Sequence, residues 1–369
     1  MESCLPWMIL KNVPGIGNHL YKRLIERFET PERVFSATKD ELLGVDGITS
    51  RLTSNIYRRS TPDWIKKDLD LVQKKHYSIV TMANPAFPPL LHQIPDPPPF
   101  LYVFGTIDDI KDPIAVVGSR NATDYGIDTT HRLCSDLASL GMTIVSGMAR
   151  GIDTAAHVGA LSAKGKTVAV LGSGLERIYP RENRKLFYQI AENGAVISEF
   201  SLHEEPKALN FPQRNRIISG MSLGTVIVEA ARKSGSLITA RMAAEQGREV
   251  FAVPGSIQSF KSAGTHGLIK QGAKLVDYAG DIVEELSHLL SFKPDIGRLN
   301  PAEKGSAQAS LSPDEQAVLN TLEAYPIHID DLIRKTSLDA GKLAGILLKL
   351  EIAGLVRQSP GKRFSRPES

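Results

Sequence analysis

The chain has 369 residues, of which 42% are hydrophobic and 23% charged, and its formal net charge at pH 7 is only +3. This length predicts two or three domains, and this composition is typical of soluble globular proteins rather than disordered or fibrous ones. Two cysteines, no signal peptide and no bilayer-length apolar stretch argue against a disulfide scaffold and a membrane protein, so we expect a cytoplasmic protein.

The N-terminal part of the chain is expected to be helical. Residues 5–75 carry helical patterns that are interrupted by two glycine-containing breaks, at 13–17 and 44–48. A proline-rich stretch from 85 to 99 follows, which suits neither a regular helix nor a central strand. The segment 100–105 (FLYVFG) then predicts a short strand. We therefore place a helical domain at residues 1–76.

Short apolar runs dominate the middle of the chain, which we define as a domain at residues 77–290. The runs are rich in β-branched residues, as strands buried on both faces of a parallel sheet must be, and they lie at 114–117, 143–145, 167–171, 195–197, 225–228 and 250–253. Helix-length segments separate them. Six such units predict a doubly wound, Rossmann-like α/β sheet, because a TIM barrel needs eight and a helix bundle lacks β-branched runs.

A second, smaller domain is expected at the C-terminal end of the chain. Residues 291–310 lack apolar periodicity and are interpreted as a linker. Ser312, Pro313 and Glu315 then form a helix start, with a capping serine and a glutamate three positions later. Three helical patterns and a terminal hairpin follow, so residues 311–369 predict a winged helix.

The loops after the predicted strands share a composition suited to phosphate. In a doubly wound sheet the ligand crevice lies at the carboxyl ends of the strands, where glycine admits backbone amides, serine donates and arginine offers a forked donor. For any single loop, an ordinary tight turn is the likelier explanation of the glycines and serines. Four loops of the same kind favour a binding surface, with candidates Gly118, Ser119, Arg120, Ser146, Gly147, Arg150, Gly151, Gly172, Ser173, Ser234, Gly235 and Ser236.

The segment 206–241 is the most basic part of the chain. It holds six basic residues against one acid, Glu229, which gives a local net charge of +5. Phe211 lies within it, ahead of Arg214-Asn215-Arg216, and basic residues around an aromatic side chain suit a strand whose phosphates are neutralised while a base stacks. A core role for Phe211 stays open, as does an ion-pair role for Arg214 or Arg216, since the two point different ways on a helix. We add Lys207, Phe211, Arg214, Asn215 and Arg216 to the candidate site.

Catalytic candidates are few. Asp153 and His157 are four residues apart at a predicted helix start, where an acid near the N-terminus and a packed histidine are common structural features. Glu229 follows a predicted strand, and orienting an arginine is the favoured role for it. The sequence has no nucleophile elbow, Walker A motif or metal-spaced set of ligands. We therefore expect no enzyme activity, no cofactor and no metal.

Between residues 77 and 280 a series of motifs follows in a fixed order, among them VVGSR at 116–120, SGMARGID at 146–153, VAVLGSGL at 168–175, FPQRNRIISGMS at 211–222, SGSLITAR at 234–241 and EQGREVFAVPG at 245–255. In this ordered series the chain resembles the bacterial DNA-processing protein A (DprA/Smf) family. The resemblance implies a homodimer that binds single-stranded DNA during natural transformation and helps to load RecA. By the same resemblance, Arg120 and the segment from Lys207 to Phe211 match DNA contacts of the family.

The flanking domains are less specific. The VPGIG segment at 13–17 is similar to a helix-hairpin-helix turn, but the second break has Thr49 where a glycine is expected, so a helical packing module is favoured over a DNA contact. In the predicted winged helix, the third helix offers only two lysines and is a poor major-groove reader. For its wing, a contact with phosphate and a contact with protein are equally compatible with the sequence.

Two other functions compete with strand binding. A phosphoribohydrolase-like nucleotide-processing enzyme would carry a Pro-Gly-Gly motif before its catalytic acid, and here only Gly224-Thr225 precedes Glu229. A winged-helix regulator with a ligand-sensing Rossmann domain would prefer duplex DNA. Release of base from a nucleoside monophosphate would support the enzyme, and binding to a defined duplex operator would support the regulator. Strand binding predicts neither result.

Overall fold

A computed structural model describes residues 4–292, 311–323, 325–352 and 355–366 of the chain. The chain divides into two compact units, one formed by residues 1–122 and 130–294 and the other by residues 123–129 and 295–369. Except for its first two positions, the linker expected at 291–310 lies outside the described residues. No helix within the described ranges combines the length and the apolar character that crossing a bilayer requires.

The large unit begins with helices, which are α1 (Leu5–Lys11), α2 (Asn18–Phe28), α3 (Pro31–Ser36), α4 (Lys39–Leu43), α5 (Ser50–Tyr57) and α6 (Asp63–Lys75). The two predicted breaks fall between helices, and Gly15 and Gly47 adopt φ angles of 93° and 89° there, which favour glycine. The buried Asp68 carboxylate of α6 accepts hydrogen bonds from the Tyr102 hydroxyl at 2.7 Å and the Leu202 amide at 3.1 Å. These bonds anchor the last helix to the rest of the unit.

A nine-stranded sheet forms the centre of the large unit and confirms the predicted doubly wound α/β fold. Its strands are β1 (Ser78–Thr81), β2 (Phe100–Gly105), β3 (Ile114–Gly118), β4 (Ile144–Ser146), β5 (Thr167–Val170), β6 (Gly194–Ser198), β7 (Gly224–Val228), β8 (Glu249–Ala252) and β9 (Lys274–Leu275). The spatial order is β1-β2-β6-β5-β4-β3-β7-β8-β9. Strands β3 to β9 run parallel, whereas β1 and β2 are antiparallel additions at one edge.

The remaining helices of the chain's central part connect and cover the strands. They are α7 (Pro89–His92), α8 (Asp124–Ser139), α9 (Ile152–Ser162), α10 (Arg184–Glu192), α11 (Asn210–Gly220), α12 (Ser236–Glu245), α13 (Ala263–Lys270) and α14 (Ala279–Glu285). Strands β5, β6 and β7 are buried along their whole length. Side chains on both faces of the sheet are therefore removed from water, which explains the unbroken apolar runs in the sequence.

The small unit has the predicted winged-helix arrangement. Its elements are α15 (Pro313–Thr321), β10 (Ile327–His328), α16 (Ile329–Thr336), α17 (Ala340–Ile352), β11 (Arg357–Ser359) and β12 (Arg363–Ser365), with the strands in the order β10-β12-β11. The predicted capping box is present, since the Ser312 hydroxyl accepts from the Glu315 amide and the Glu315 carboxylate accepts from the Ser312 amide. Leu332, Leu347 and Phe364 belong to a separate small core.

Candidate nucleic-acid interface

The strand order of the sheet creates a crevice between β3 and β7. After β3 the chain continues to β4, β5 and β6 on one side, and β7 then returns to the other side of β3. Loops that leave neighbouring parallel strands in opposite directions open a cleft at the carboxyl ends. A cleft of about 580 Å³ lies there, and the predicted residues that line it are Gly118, Ser119, Arg120, Phe211, Arg214, Asn215, Ser234, Gly235 and Ser236. We call it the switch-point cleft.

Phe211 and Arg120 form a pair in the switch-point cleft. The exposed Arg120 guanidinium carbon lies 5.0 Å from the centroid of the half-buried Phe211 ring. Tyr179 borders the same ring, with a centroid distance of 5.9 Å. From behind, Gly172 contacts the ring so closely that a Cβ atom at this position would lie 2.9 Å from Phe211 Cδ1. The ring is thus held in place while part of it faces the cleft.

Arg214 places a cation beneath the cleft. Its side chain is 3% exposed, and Nη1 donates hydrogen bonds to the carbonyl oxygens of Gly147, at 2.7 Å, and of Val170. These carbonyls lie after β4 and at the end of β5. Burial lowers the pKa of Arg214 to about 10, while the nearby Asp153 opposes this shift. At neutral pH the guanidinium stays charged and joins two strand ends to α11.

The loops around the cleft are packed against each other. The Ser119 amide donates to the Val228 carbonyl at 3.4 Å, and the Ile152 amide donates to the Ser119 carbonyl at 3.1 Å. Gly151 has a φ angle of 74°, and a Cβ atom there would lie 2.3 Å from the Ser119 oxygen, so only glycine fits. The loop after β3 is therefore supported by both the loop after β4 and strand β7.

Two predicted serines serve the fold rather than the cleft surface. Buried Ser146 donates to the Val116 carbonyl at 2.6 Å, and buried Ser173 donates to the Arg177 carbonyl at 2.7 Å. Each hydroxyl hydrogen is committed to a backbone oxygen. The structure thus places both serines near the strand ends without directing their donors toward a ligand.

Three predicted cations are not part of the cleft lining. Exposed Arg150 pairs with Glu182, and exposed Lys207 lies 2.6 Å from Glu204. Arg216 is 6% exposed and pairs with Glu199 and with Asp96, at 3.1 Å. The ion-pair role left open in the sequence therefore applies to Arg216, whose charge is matched inside the fold.

Several residues of the cleft and its border are outside the predicted set of site residues, although one of them, Lys233, belongs to the basic segment 206–241. Lys233, Phe260 and Lys261 line it, and Phe260 is 72% exposed. Lys261 Nζ donates to the Asn121 carbonyl at 2.6 Å, which connects the loop after β8 with the loop after β3. Tyr179, 46% exposed beside Phe211, is also outside the predicted set. The sequence signal that could have identified Tyr179 is an aromatic residue in the loop that follows Gly172-Ser173-Gly174 at the end of β5.

The catalytic candidates have structural contacts. Asp153 is 6% exposed, and its carboxylate accepts a hydrogen bond from the Ala149 amide at 3.3 Å. Burial raises its pKa, which the Arg214 charge opposes. His157 is fully buried with Nδ1 at 2.7 Å from Thr167 Oγ1, and Glu229 is 4% exposed. In the part of the chain that the structure describes, no cluster of three His, Cys, Asp or Glu side chains is arranged to hold a metal.

Known proteins match the chain over both units. Residues 78–287 match the family model described as DNA recombination-mediator protein A, and residues 302–362 match the DprA winged helix domain. The Protein Smf of Synechocystis is 35% identical, with 98% of each chain covered. The family resemblance inferred from the motifs is confirmed.

Solved structures agree with the sequence relatives. The DNA processing protein A of Streptococcus pneumoniae is 33% identical with a TM-score of 0.66, and the match covers 78% of this chain and 98% of that one. The DNA processing protein A of Helicobacter pylori, solved to describe its single-stranded DNA binding mode, is 31% identical with a TM-score of 0.53, over 58% of this chain and 97% of that one. This chain belongs to the DNA recombination-mediator protein A family, whose relatives are named DprA or Smf.

Proposed function

We propose that the chain binds single-stranded DNA in the switch-point cleft, without choosing a sequence. The observation that carries this proposal is the Arg120 guanidinium beside the partly exposed Phe211 ring. An arginine next to an aromatic ring neutralises a phosphate while the ring stacks on the adjoining base. Every base has a flat face, so this mode of binding tolerates any sequence.

The other side chains of the cleft fit the same ligand. Lys233 and Lys261 add positive charge along the lining, and the buried Arg214 adds it from below. Gly118 allows β3 to pack closely against Val228 of β7, and the Ser119 hydroxyl, which accepts from the Asn121 amide at 3.2 Å, keeps its hydrogen to donate to a phosphate. Structural similarity to the Helicobacter pylori protein, studied with single-stranded DNA, supports the same assignment.

Not every predicted residue receives a direct DNA contact in this proposal. Gly147, Gly151 and Gly172 shape the cleft from behind, and Ser146 and Ser173 bond to backbone. We assign Arg216 a positioning role on α11, because its guanidinium is buried against carboxylates. Arg150 and Lys207 are exposed and each pairs with a glutamate. We propose them as peripheral contacts, in which a phosphate of the strand replaces the glutamate as the ion-pair partner.

We further propose that the protein acts as a homodimer in the cytoplasm, where it receives incoming DNA during natural transformation and helps to load RecA. Membership of the recombination-mediator family supports this role. In this scheme residues 77–290 form the domain that binds the strand, and residues 1–76 form a helical packing module. Residues 291–310 are the linker to a C-terminal domain at residues 311–369, which contacts protein or phosphate.

The test is binding of a fluorescent oligothymidylate at two salt concentrations. Arg120→Ala should weaken binding and reduce the slope of log affinity against log salt by about 0.7, the value for one phosphate contact on a single strand. Phe211→Ala should cost about 10-fold or more in affinity through loss of one stacked base. Phe211→Tyr keeps the ring, and Arg51→Ala removes an exposed charge from α5, so both controls should bind normally. Unchanged binding in both cleft variants contradicts the site.

Two further outcomes bear on the role. RecA should hydrolyse ATP faster on a strand coated with single-strand-binding protein when the wild-type chain is added, but not when Phe211→Ala is added. Release of base from a nucleoside monophosphate by the pure protein would instead favour a nucleotide-processing enzyme. In that case Glu229, buried at the end of β7, would be the first acid to substitute.

A further inference from the structure

A second cleft, of about 550 Å³, opens in the large unit beside the loop that follows β5. One wall comes from the end of α6 and the residues before β1, and the other from residues 175–184 and α10. We call it the α10 cleft. The side chains that define its chemistry are Lys75, Tyr77, Glu176, Arg181, Arg184 and Tyr188.

The α10 cleft contains a fixed aromatic ring. Tyr188 is 43% exposed although it is large and mostly apolar. Its ring meets Phe187 and Phe104 nearly edge-on, with centroid distances of 5.3 Å and 6.1 Å. These contacts restrict the ring's position, so Tyr188 offers a flat surface at little entropic cost to a ligand that stacks.

The charges of the α10 cleft favour an anion. Arg181 and Arg184 are exposed, and neither guanidinium pairs with an acidic side chain within the residues that the structure describes. The single carboxylate of the lining, Glu176, already accepts a hydrogen bond from the Tyr77 hydroxyl at 2.7 Å and lies 3.7 Å from Lys75 Nζ. Burial, reinforced by Glu176, raises the pKa of Tyr77, so the phenol remains a donor. The two arginines are thus left to bind phosphate.

The α10 cleft and the switch-point cleft are adjacent along one loop. Ile178 lines the α10 cleft, and the next residue, Tyr179, borders Phe211 in the switch-point cleft. Tyr179 is itself 46% exposed. Consecutive residues of one loop thus border the two clefts.

We infer that the α10 cleft is a second nucleotide subsite, in which Tyr188 stacks on a base and Arg181 and Arg184 bind phosphates of the strand held at Phe211. This inference rests on the proposed function, because the strand must first occupy the switch-point cleft. Its ligand is a nucleotide unit of single-stranded DNA further along the same molecule.

The experiment compares a short and a long oligothymidylate, of about 4 and about 15 nucleotides, at the two ends of the range of known single-strand sites. With the long oligonucleotide, Tyr188→Leu should reduce affinity about 10-fold. The double variant Arg181→Ala/Arg184→Ala should lower the salt slope by about 1.4. With the short oligonucleotide, both variants should match the wild type.

Controls separate the subsite from general effects. Tyr188→Phe keeps the ring and should bind the long oligonucleotide normally. Lys185→Ala removes an exposed cation from the same helix, at a position outside the cleft lining, and should leave the salt slope unchanged. Circular dichroism and thermal unfolding verify that each variant is folded.

The outcomes distinguish the two proposals. If the wild type binds and Phe211→Ala weakens it, while the α10 cleft variants bind both lengths like the wild type, the second subsite is wrong and the first stands. An equal loss with both lengths also contradicts it, because a subsite further along the strand contributes more to the binding of the long oligonucleotide than to that of the short one. If the wild type binds neither oligonucleotide, the proposed function itself fails.

Discussion

His157 is a buried histidine whose protonation state follows from its neighbours. Thr167 donates its hydroxyl hydrogen to the Ile144 carbonyl at 2.8 Å, so Nδ1 of His157, at 2.7 Å, must donate to Thr167 Oγ1. Nε2 is buried without a hydrogen-bond partner in the described structure. Burial, and secondarily the positive charge of Arg214, lower the pKa of His157 to about 3. The folded protein therefore holds this ring neutral at any moderate pH.

This histidine should make the large unit sensitive to acid. An unfolded chain binds a proton at His157 below its ordinary pKa of 6.5, whereas the folded chain does so only near 3, so stability is present above 6.5 and is lost as the pH falls between these values. Chemical denaturation measures the free energy of unfolding at pH 7 and at pH 5. Between these two pH values the wild type should lose about 2 kcal/mol more of this free energy than His157→Gln does. Glutamine keeps a donor and does not titrate. Equal losses in the two proteins contradict this account.

At the scale of elements, the loops at the carboxyl ends of the strands contain glycines that differ in the room available for a Cβ atom. Gly172, after β5, contacts the Phe211 ring, and a Cβ atom there would lie 2.9 Å from Cδ1. Gly235, before α12, lines the same cleft but would place a Cβ atom with nothing within 4 Å, and its φ of −62° suits any residue.

The two glycines form a matched pair of substitutions. Gly172→Ala should displace the Phe211 ring from Arg120 and reduce affinity for single-stranded DNA about 10-fold, the effect of losing one stacked base. Gly235→Ala adds a methyl group to the lining without displacing the Phe211 ring, so it should weaken binding less than Gly172→Ala does. Fluorescence anisotropy measures both, after circular dichroism has shown that both are folded. Equal affinities for the two variants would remove Phe211 from the binding surface.

The elements themselves were largely predictable, because β3 to β7 are buried on both faces and so appear as apolar runs rich in β-branched residues, and β8 is apolar from Val250 onward. Strands β1 and β9 were missed, since they are short and their first residues are exposed. The cleft was predictable only in part. Whether Arg216 faces water depends on Asp96 and Glu199, which lie in other segments of the chain. Phe260 is distant in sequence from the predicted cleft residues, and only the tertiary fold brings it into the lining.

At the scale of the whole molecule, the proposed strand-binding surface lies in the large unit. A ligand that binds only the folded state stabilises it, by about 2.7 kcal/mol when the free ligand is at 100 times its Kd. Hydrogen exchange of the amides in β3 to β8 should therefore slow when saturating oligothymidylate is added. Arg120→Ala at the same ligand concentration should show a smaller change, and residues 311–366 should show none. Equal protection of the small unit would indicate that it also binds the strand.

The position of β7 beside β3 has a consequence for how the site comes into existence. The two strands are neighbours in the sheet, but β4, β5 and β6 lie between them along the chain. Arg120 is therefore synthesised long before Phe211, Ser234 and Lys261, with which it lines the switch-point cleft. A growing polypeptide on the ribosome has no cleft until the second half of the sheet has been made and has docked. On the proposed assignment, incomplete chains therefore lack the strand-binding cleft, which forms only after β7 has docked beside β3.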